Sequence, residues 1–96
     1  MSKLTITGNI VAKPDHVDRV REELQRLVLR TRREDGCLQY DLHQDNNAPT
    51  HFFLYENWAS REQWRSHMAA SPVSDFVTAT QGAVEKTWVS ELTHLL

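Results

Sequence analysis

Between His51 and His67 the chain changes its period, and that change narrows the folds open to it. His51 to Trp58 is a short apolar and aromatic run of strand character. Ser60-Arg-Glu-Gln63 follows it, a serine with a glutamine three residues on, which is the capping-box signature of a helix start. The helix it opens carries Trp64, His67 and Met68 on one side. Two tryptophans, a tyrosine, two histidines and Glu56 therefore meet across one strand-to-helix junction. So much aromatic and titratable material needs either a core or a pocket to hold it.

The flanking segments supply the rest of the order. Residues 3–12 alternate, with Leu4, Ile6 and Ile10 on one face and Thr5, Thr7 and Asn9 on the other, as in a strand. Gly8 inside it marks a bulge or a close approach by a neighbour. Lys13-Pro14-Asp15 stops that strand, and Asp15 is the expected N-cap of a helix. Val17, Val20, Leu24, Leu27, Val28 and Thr31 form its apolar stripe. Asp15/Arg19, Arg19/Glu23 and Glu22/Arg26 lie four apart on its outer side. The basic run Arg30 to Arg33 suits its C-terminus, and Gly36 ends it.

Cys37 to Asp45 alternates again, placing Leu38, Tyr40 and Leu42 on one face, and Asp45 to Thr50 has the composition of a hairpin turn. After the first junction helix, Ser71-Pro72 restarts a short helix, with serine as cap and proline at its first position. Val73, Phe76, Val77 and Thr80 make its inner face, and Gly82 ends it. Ala83 to Leu92 closes the chain as a strand with Val84, Trp88 and Leu92 on one side. The order is β-α-β-β-α-β with the second helix broken. It predicts an α+β fold: a ferredoxin-like split β-α-β, a four-stranded antiparallel sheet with helices on one face, formed by one domain over residues 1–96. The other sheet face still carries aromatic side chains, and a second copy of the chain is its simplest cover.

Composition removes several classes of function. A net charge of -2 without a basic stripe argues against nucleic acid or an anionic membrane surface as partner. No apolar run approaches the ~18 residues of a membrane span, and the N-terminus lacks the pattern of a signal peptide. The single cysteine, Cys37, excludes an internal disulfide and points to a reducing cytoplasm. His16, His43, His51, His67 and His94 show no metal-ligand spacing. Neither a nucleophile elbow nor a glycine-rich phosphate loop is present.

What survives is an aromatic pocket. Tyr40, Phe53, Tyr55, Trp58, Trp64, Phe76 and Trp88 are candidate walls for a flat aromatic molecule. His67 is the candidate acid or base, since imidazole titrates near neutrality and shares a helix side with Trp64. A core or interface histidine with satisfied nitrogens is its alternative. Glu56, between Tyr55 and Trp58, needs a partner if buried, and an ion pair across a dimer interface is its expected role. Asn9 is a candidate hydrogen-bond donor to the pocket, with a solvent-facing role as its alternative.

Three elements appear in order: Glu34-Asp-Gly-Cys-Leu-Gln-Tyr40, Phe53-Leu-Tyr-Glu-Asn-Trp58, and His67-Met-Ala-Ala-Ser-Pro72 with Phe76. Together they resemble the antibiotic biosynthesis monooxygenase (ABM) domain family. The resemblance implies a dimeric α+β barrel with a cavity between each sheet and its helices. It also implies a monooxygenase that oxidises a small aromatic quinol or phenol with O2 and needs no flavin, metal or haem. On that reading His67 is the catalytic base, and Asn9, Tyr40, Trp58, Trp64 and Phe76 contact substrate. Members often continue from Ser-Pro into a histidine, where this chain has Val73, which puts a two-histidine mechanism in doubt. Other relatives degrade haem, isomerise sugar phosphates, or have no known reaction. A non-catalytic module for a hydrophobic ligand is thus the alternative.

Overall fold

The computed structural model describes residues 3–96; Met1 and Ser2, where the N-terminal reading begins, lie outside them. Its elements are β1 (Leu4–Ala12), α1 (Val17–Thr31), β2 (Cys37–Gln44), β3 (His51–Trp58), α2 (Arg61–Met68), α3 (Ser71–Ala79) and β4 (Val84–Leu92). The strands form one sheet in the order β2-β3-β1-β4, with every neighbouring pair antiparallel. This is the ferredoxin-like α+β arrangement expected from the order of periods.

Strand register sorts the side chains into two faces. Leu4 pairs with Trp58, Ile6 with Glu56, Gly8 with Leu54 and Ile10 with Phe52. Tyr40 lies opposite Glu56, and Leu42 opposite Leu54, across the β2–β3 pair. These residues face the helices. There Ile6, Phe52 and Trp58 pack with Val20, Leu24, Leu27 and Val28 of α1 to form the core. The stripe on α1 is buried as its three- and four-residue spacing requires.

Several local expectations change. Pro14–His16 forms a 3-10 turn, so α1 starts at Val17 and Asp15 does not cap it. The ion pairs within α1 fall three apart rather than four, Arg21 with Asp18 at 2.8 Å and Arg26 with Glu23 at 2.7 Å. Arg19 instead donates to the Ala79 carbonyl from Nε and NH2, at 3.0 and 2.6 Å, tying α1 to the end of α3. Ser60 does cap α2, accepting the Gln63 backbone N–H at 3.2 Å. At α3, however, Ala70 is the cap residue, and Ser71 lies within the first turn beside Pro72.

Two bulges redirect side chains. The register moves from Cys37↔Trp58 to Gln39↔Asn57, so Leu38 is the extra residue and is 59% exposed rather than aligned with Tyr40. On the other edge Val11 pairs with Lys86 but Ala12 pairs with Val84, leaving Glu85 unmatched. Val84 therefore packs against the core, while Trp88 and Leu92 stay exposed on the open face. No bulge occurs at Gly8, which pairs regularly with Leu54 and Val89.

The open face carries a chain of side-chain hydrogen bonds across three strands. Thr5 Oγ1 donates to Asn57 Oδ1 at 2.6 Å, and Asn57 Nδ2 donates to Gln39 Oε1 at 2.7 Å. Gln39 Nε2 then donates to Asp41 Oδ2 at 2.8 Å. Arg32 NH2 closes the series on Asp41 Oδ1 at 3.0 Å.

Candidate active site

A cavity of about 250 Å³ lies between the sheet and the two short helices. Gly8, Ile10, Leu54 and Glu56 make its floor, Leu24 and Leu27 of α1 one wall, and Phe76 and Val73 of α3 another. Met68, Val77, Thr87 and Val89 also line it, and all four are exposed, so they mark its mouth between α3 and β4. The lining is apolar except at Tyr40, Glu56, His67 and Thr87. Gly8 keeps the floor low, since a Cβ there would stand 3.6 Å from Glu56 Oε2 and from Leu54.

His67 is 2% exposed, and two aromatic rings frame it. The Trp58 ring lies 4.7 Å away at a tilt, and the Tyr40 ring meets it edge-on at 5.4 Å. Nδ1 is 2.8 Å from Glu34 Oε1. Glu34 sits in the turn after α1, and that turn is pinned. Gly36 has φ +82°, a Cβ there would overlap the Gln63 side chain, and its carbonyl accepts the Ala59 N–H at 2.8 Å. The α1–β2 turn is thereby held against the start of α2, one turn ahead of His67. Burial lowers the His67 pKa from its ordinary value, with the Glu34 hydrogen bond and charge opposing it.

Glu56 is the second titratable group in the cavity. Its Oε1 accepts the Trp58 Nε1–H at 2.9 Å. Burial nevertheless pushes its pKa up to about 7, the indole hydrogen bond acting in the other direction. Tyr40 is raised well above the ordinary phenol value, first by burial and then by the charge of Glu56, so it is a neutral wall. Chemically the site offers an apolar-lined space, a buried imidazole oriented from outside, and a carboxyl that exchanges its proton near neutrality.

The residues singled out from the sequence separate here. His67, Tyr40 and Phe76 share the cavity. Trp58 is fully buried behind His67 and supports the ring rather than lining the space. Trp64 does not line it either; the indole packs against the core, and its Nε1–H is buried without a partner among the described residues. Asn9 points to the opposite sheet face, where its Oδ1 lies 2.8 Å from His51 Nε2, because odd positions of β1 face away from the helices. Phe53, Tyr55 and Trp88 share that open face by register. Glu56 corrects in the other direction: it lies inside, bonded to Trp58, not on the face open to a partner. Sequence reasoning missed Glu34 and undervalued Glu56. The signal was present, because period two puts Glu56 on the same face as Trp58.

Among the described residues no group of three or more histidine, cysteine or acidic side chains is placed to hold a metal ion. No helix among them is long and apolar enough to cross a membrane.

Comparison with known proteins agrees with this architecture. The crystal structure of PA3566 from Pseudomonas aeruginosa superposes with a TM-score of 0.94 at 30% identity, covering 100% of this chain and 97% of that one. A structure described as an antibiotic biosynthesis monooxygenase gives 0.90 at 28% identity, covering 97% and 99%. The uncharacterized protein sll1783 of Synechocystis sp. is 25% identical over 83 residues, covering 86% of this chain and 56% of its own length. The chain thus spans about half the length of that curated relative. The family model for antibiotic biosynthesis monooxygenases matches residues 4–79. With three of the four strands, all three helices and most of the cavity lining inside that match, the chain belongs to the antibiotic biosynthesis monooxygenase family.

Proposed function

We propose that this protein is a monooxygenase that oxidises a small phenol or quinol with O2 inside the cavity, using no cofactor. The observation that carries the reading is His67, buried at the wall of an apolar space with Nδ1 committed to Glu34. At about 250 Å³ the space falls just below the roughly 300–1,000 Å³ of drug-sized pockets, which suits a one- or two-ring molecule better than haem.

His67 Nε2 takes the phenol proton. The resulting phenolate is electron-rich enough to pass one electron to O2, leaving a phenoxyl radical and superoxide. These combine at a ring carbon bearing hydrogen, and the peroxide anion recovers the proton from the imidazolium. Loss of that carbon's hydrogen with the distal hydroxide gives a carbonyl and water. Atoms balance as phenol plus O2 to quinone plus water, or quinol plus O2 to hydroxyquinone plus water. Expelling water strengthens the imidazolium–phenolate attraction. On this reading Glu56, which lines the same cavity, exchanges a proton with a second substrate oxygen.

On the same reading the working form is a homodimer in a reducing cytoplasm, with the open faces bearing Trp88 and Leu92 packed together. Light scattering should then give twice the chain mass.

Menadiol (2-methyl-1,4-naphthoquinol) under air and under argon tests the reaction. An O2-dependent excess of hydroxyquinone over autoxidation, carrying label from 18O2, is expected. His67→Ala should lower it at least ~100-fold. No excess across a panel of phenols, or an unchanged rate in His67→Ala, would sink the assignment. Thermal stabilisation by the same quinols without turnover would identify a ligand-binding module instead.

A further inference from the structure

His67 stands between two spaces. One is the inner cavity. The other is a groove of about 360 Å³ on the outer side, lined by Glu34, Asp35, Gln63, Ser66 and Ala70. His67 is the one residue common to the two linings. Its Nδ1 is bound to Glu34, on the groove side. The two nitrogens of an imidazole point away from one another, so Nε2 is the nitrogen left for the cavity.

We propose that Glu34 is a positioning residue for the reaction: it fixes His67 in the Nδ1–H tautomer, so that the lone pair of Nε2 faces substrate, and it supplies the counter-charge when the ring is protonated. The inference rests on His67 being the base. The bookkeeping of protons is simple. Nδ1–H donates to Glu34 Oε1 throughout, Nε2 gains the phenol proton, and the imidazolium returns it to the peroxide. Nothing is oxidised or reduced at the pair.

Three features of the structure support the placement. The turn bearing Glu34 is immobilised by Gly36 against Gln63 and by the Gly36–Ala59 hydrogen bond. Glu34 Oε2 is buried with no partner among the described residues, so this carboxylate has not been placed for its own solvation. The groups that face His67 are unevenly charged. Glu34 and Asp35 lie on the groove side, while Tyr40 of β2 and Glu56 of β3 lie on the cavity side, and among the described residues no lysine or arginine lines either space. A protonated ring therefore has Glu34 as its nearest counter-ion. A carboxylate that holds the tautomer and balances an imidazolium is a general solution for a histidine base.

The test uses the intact protein and two readouts. Histidine 15N spectra, with His67 assigned by its loss in His67→Ala, report tautomer and titration without any turnover. Glu34→Gln keeps an acceptor oxygen but removes the charge, and Glu34→Ala removes both. The wild type should show His67 protonated at Nδ1, and Glu34→Gln should titrate at lower pH. The acid limb of the menadiol oxidation profile should move down with it, and the maximal rate should fall about tenfold or more. A His67 protonated at Nε2, or one that titrates identically in wild type and Glu34→Gln, overturns the proposal. So does an unchanged rate and profile in both Glu34 variants when His67→Ala is inactive. If His67→Ala keeps the full rate while the spectra show the Nδ1–H tautomer, the base assignment fails and the pairing survives as a structural clasp, so the two failures are separable.

Discussion

Replacing Glu56 by glutamine should change how stability depends on pH, with a sign that the structure fixes. The unfolded chain releases this proton near the ordinary value of 4.5, whereas the folded protein holds it up to about 7. Below about pH 4 both states are protonated and the group is neutral in the balance. Between the two values the unfolded chain binds fewer protons, so each step up in pH favours unfolding, and above the folded value the loss is complete. A carboxyl moved from 4.5 up to about 7 carries roughly 3 kcal/mol of this linkage, at ~1.4 kcal/mol for each pH unit of separation. Glutamine does not titrate and can still accept the Trp58 Nε1–H. Urea unfolding of both proteins from about pH 4 to about pH 8 should show Glu56→Gln gaining ~2–3 kcal/mol on the wild type across that range. His67 contributes the opposite slope, because its folded pKa lies below its unfolded one, but it does so in both proteins and cancels in the difference. Parallel pH profiles would refute the claim that Glu56 is buried without a compensating charge.

Four further outcomes follow from the packing. Gly36→Ala meets both a φ of +82° and the Gln63 side chain, so urea unfolding should show a loss of more than ~1 kcal/mol. Trp58→Phe removes the donor to Glu56, so the Glu56 pKa should rise further, read by carboxyl 13C titration. Truncating the fully buried Trp58 to alanine should cost ~3–5 kcal/mol by the same unfolding assay. Burial raises the Cys37 thiol above its ordinary value, so iodoacetamide should alkylate the native protein more slowly than the urea-unfolded chain at one pH, and equal rates would contradict it.

The architecture was legible because period is a local property that survives tertiary packing. Val20, Leu24, Leu27 and Val28 announce a buried helix face, and the alternation of β1 and β3 names its two sheet faces. What failed was local geometry decided by a neighbour. Leu38 and Val84 lost their expected faces to single-residue bulges, which depend on the partner strand. Asp15 lost its cap to a 3-10 turn set by Pro14. The site divided along the same line. Within one strand, parity places Glu56 and Trp58 together. Across strands, Asn9 was assigned to the pocket although its own alternation put it with Thr5 and Thr7. The Glu34–His67 contact spans 33 residues and forms only when the α1–β2 turn meets α2, so neither spacing nor composition encodes it.

The hydrogen-bond chain on the open face has a direction. Thr5 gives its proton to the oxygen of Asn57, which obliges the nitrogen of Asn57 to turn to Gln39, and that of Gln39 to turn to Asp41. The series ends on a carboxylate whose pKa is lowered first by the Gln39 hydrogen bond and then by Arg32. An ionised group near the outer edge of the sheet thus sets which way two amides point, as far in as the central strand. Asp41 works as the polarity key of that surface. Any sheet that packs here meets a row of dipoles already aligned, and exchanging Asp41 for a donor would reverse what that row offers.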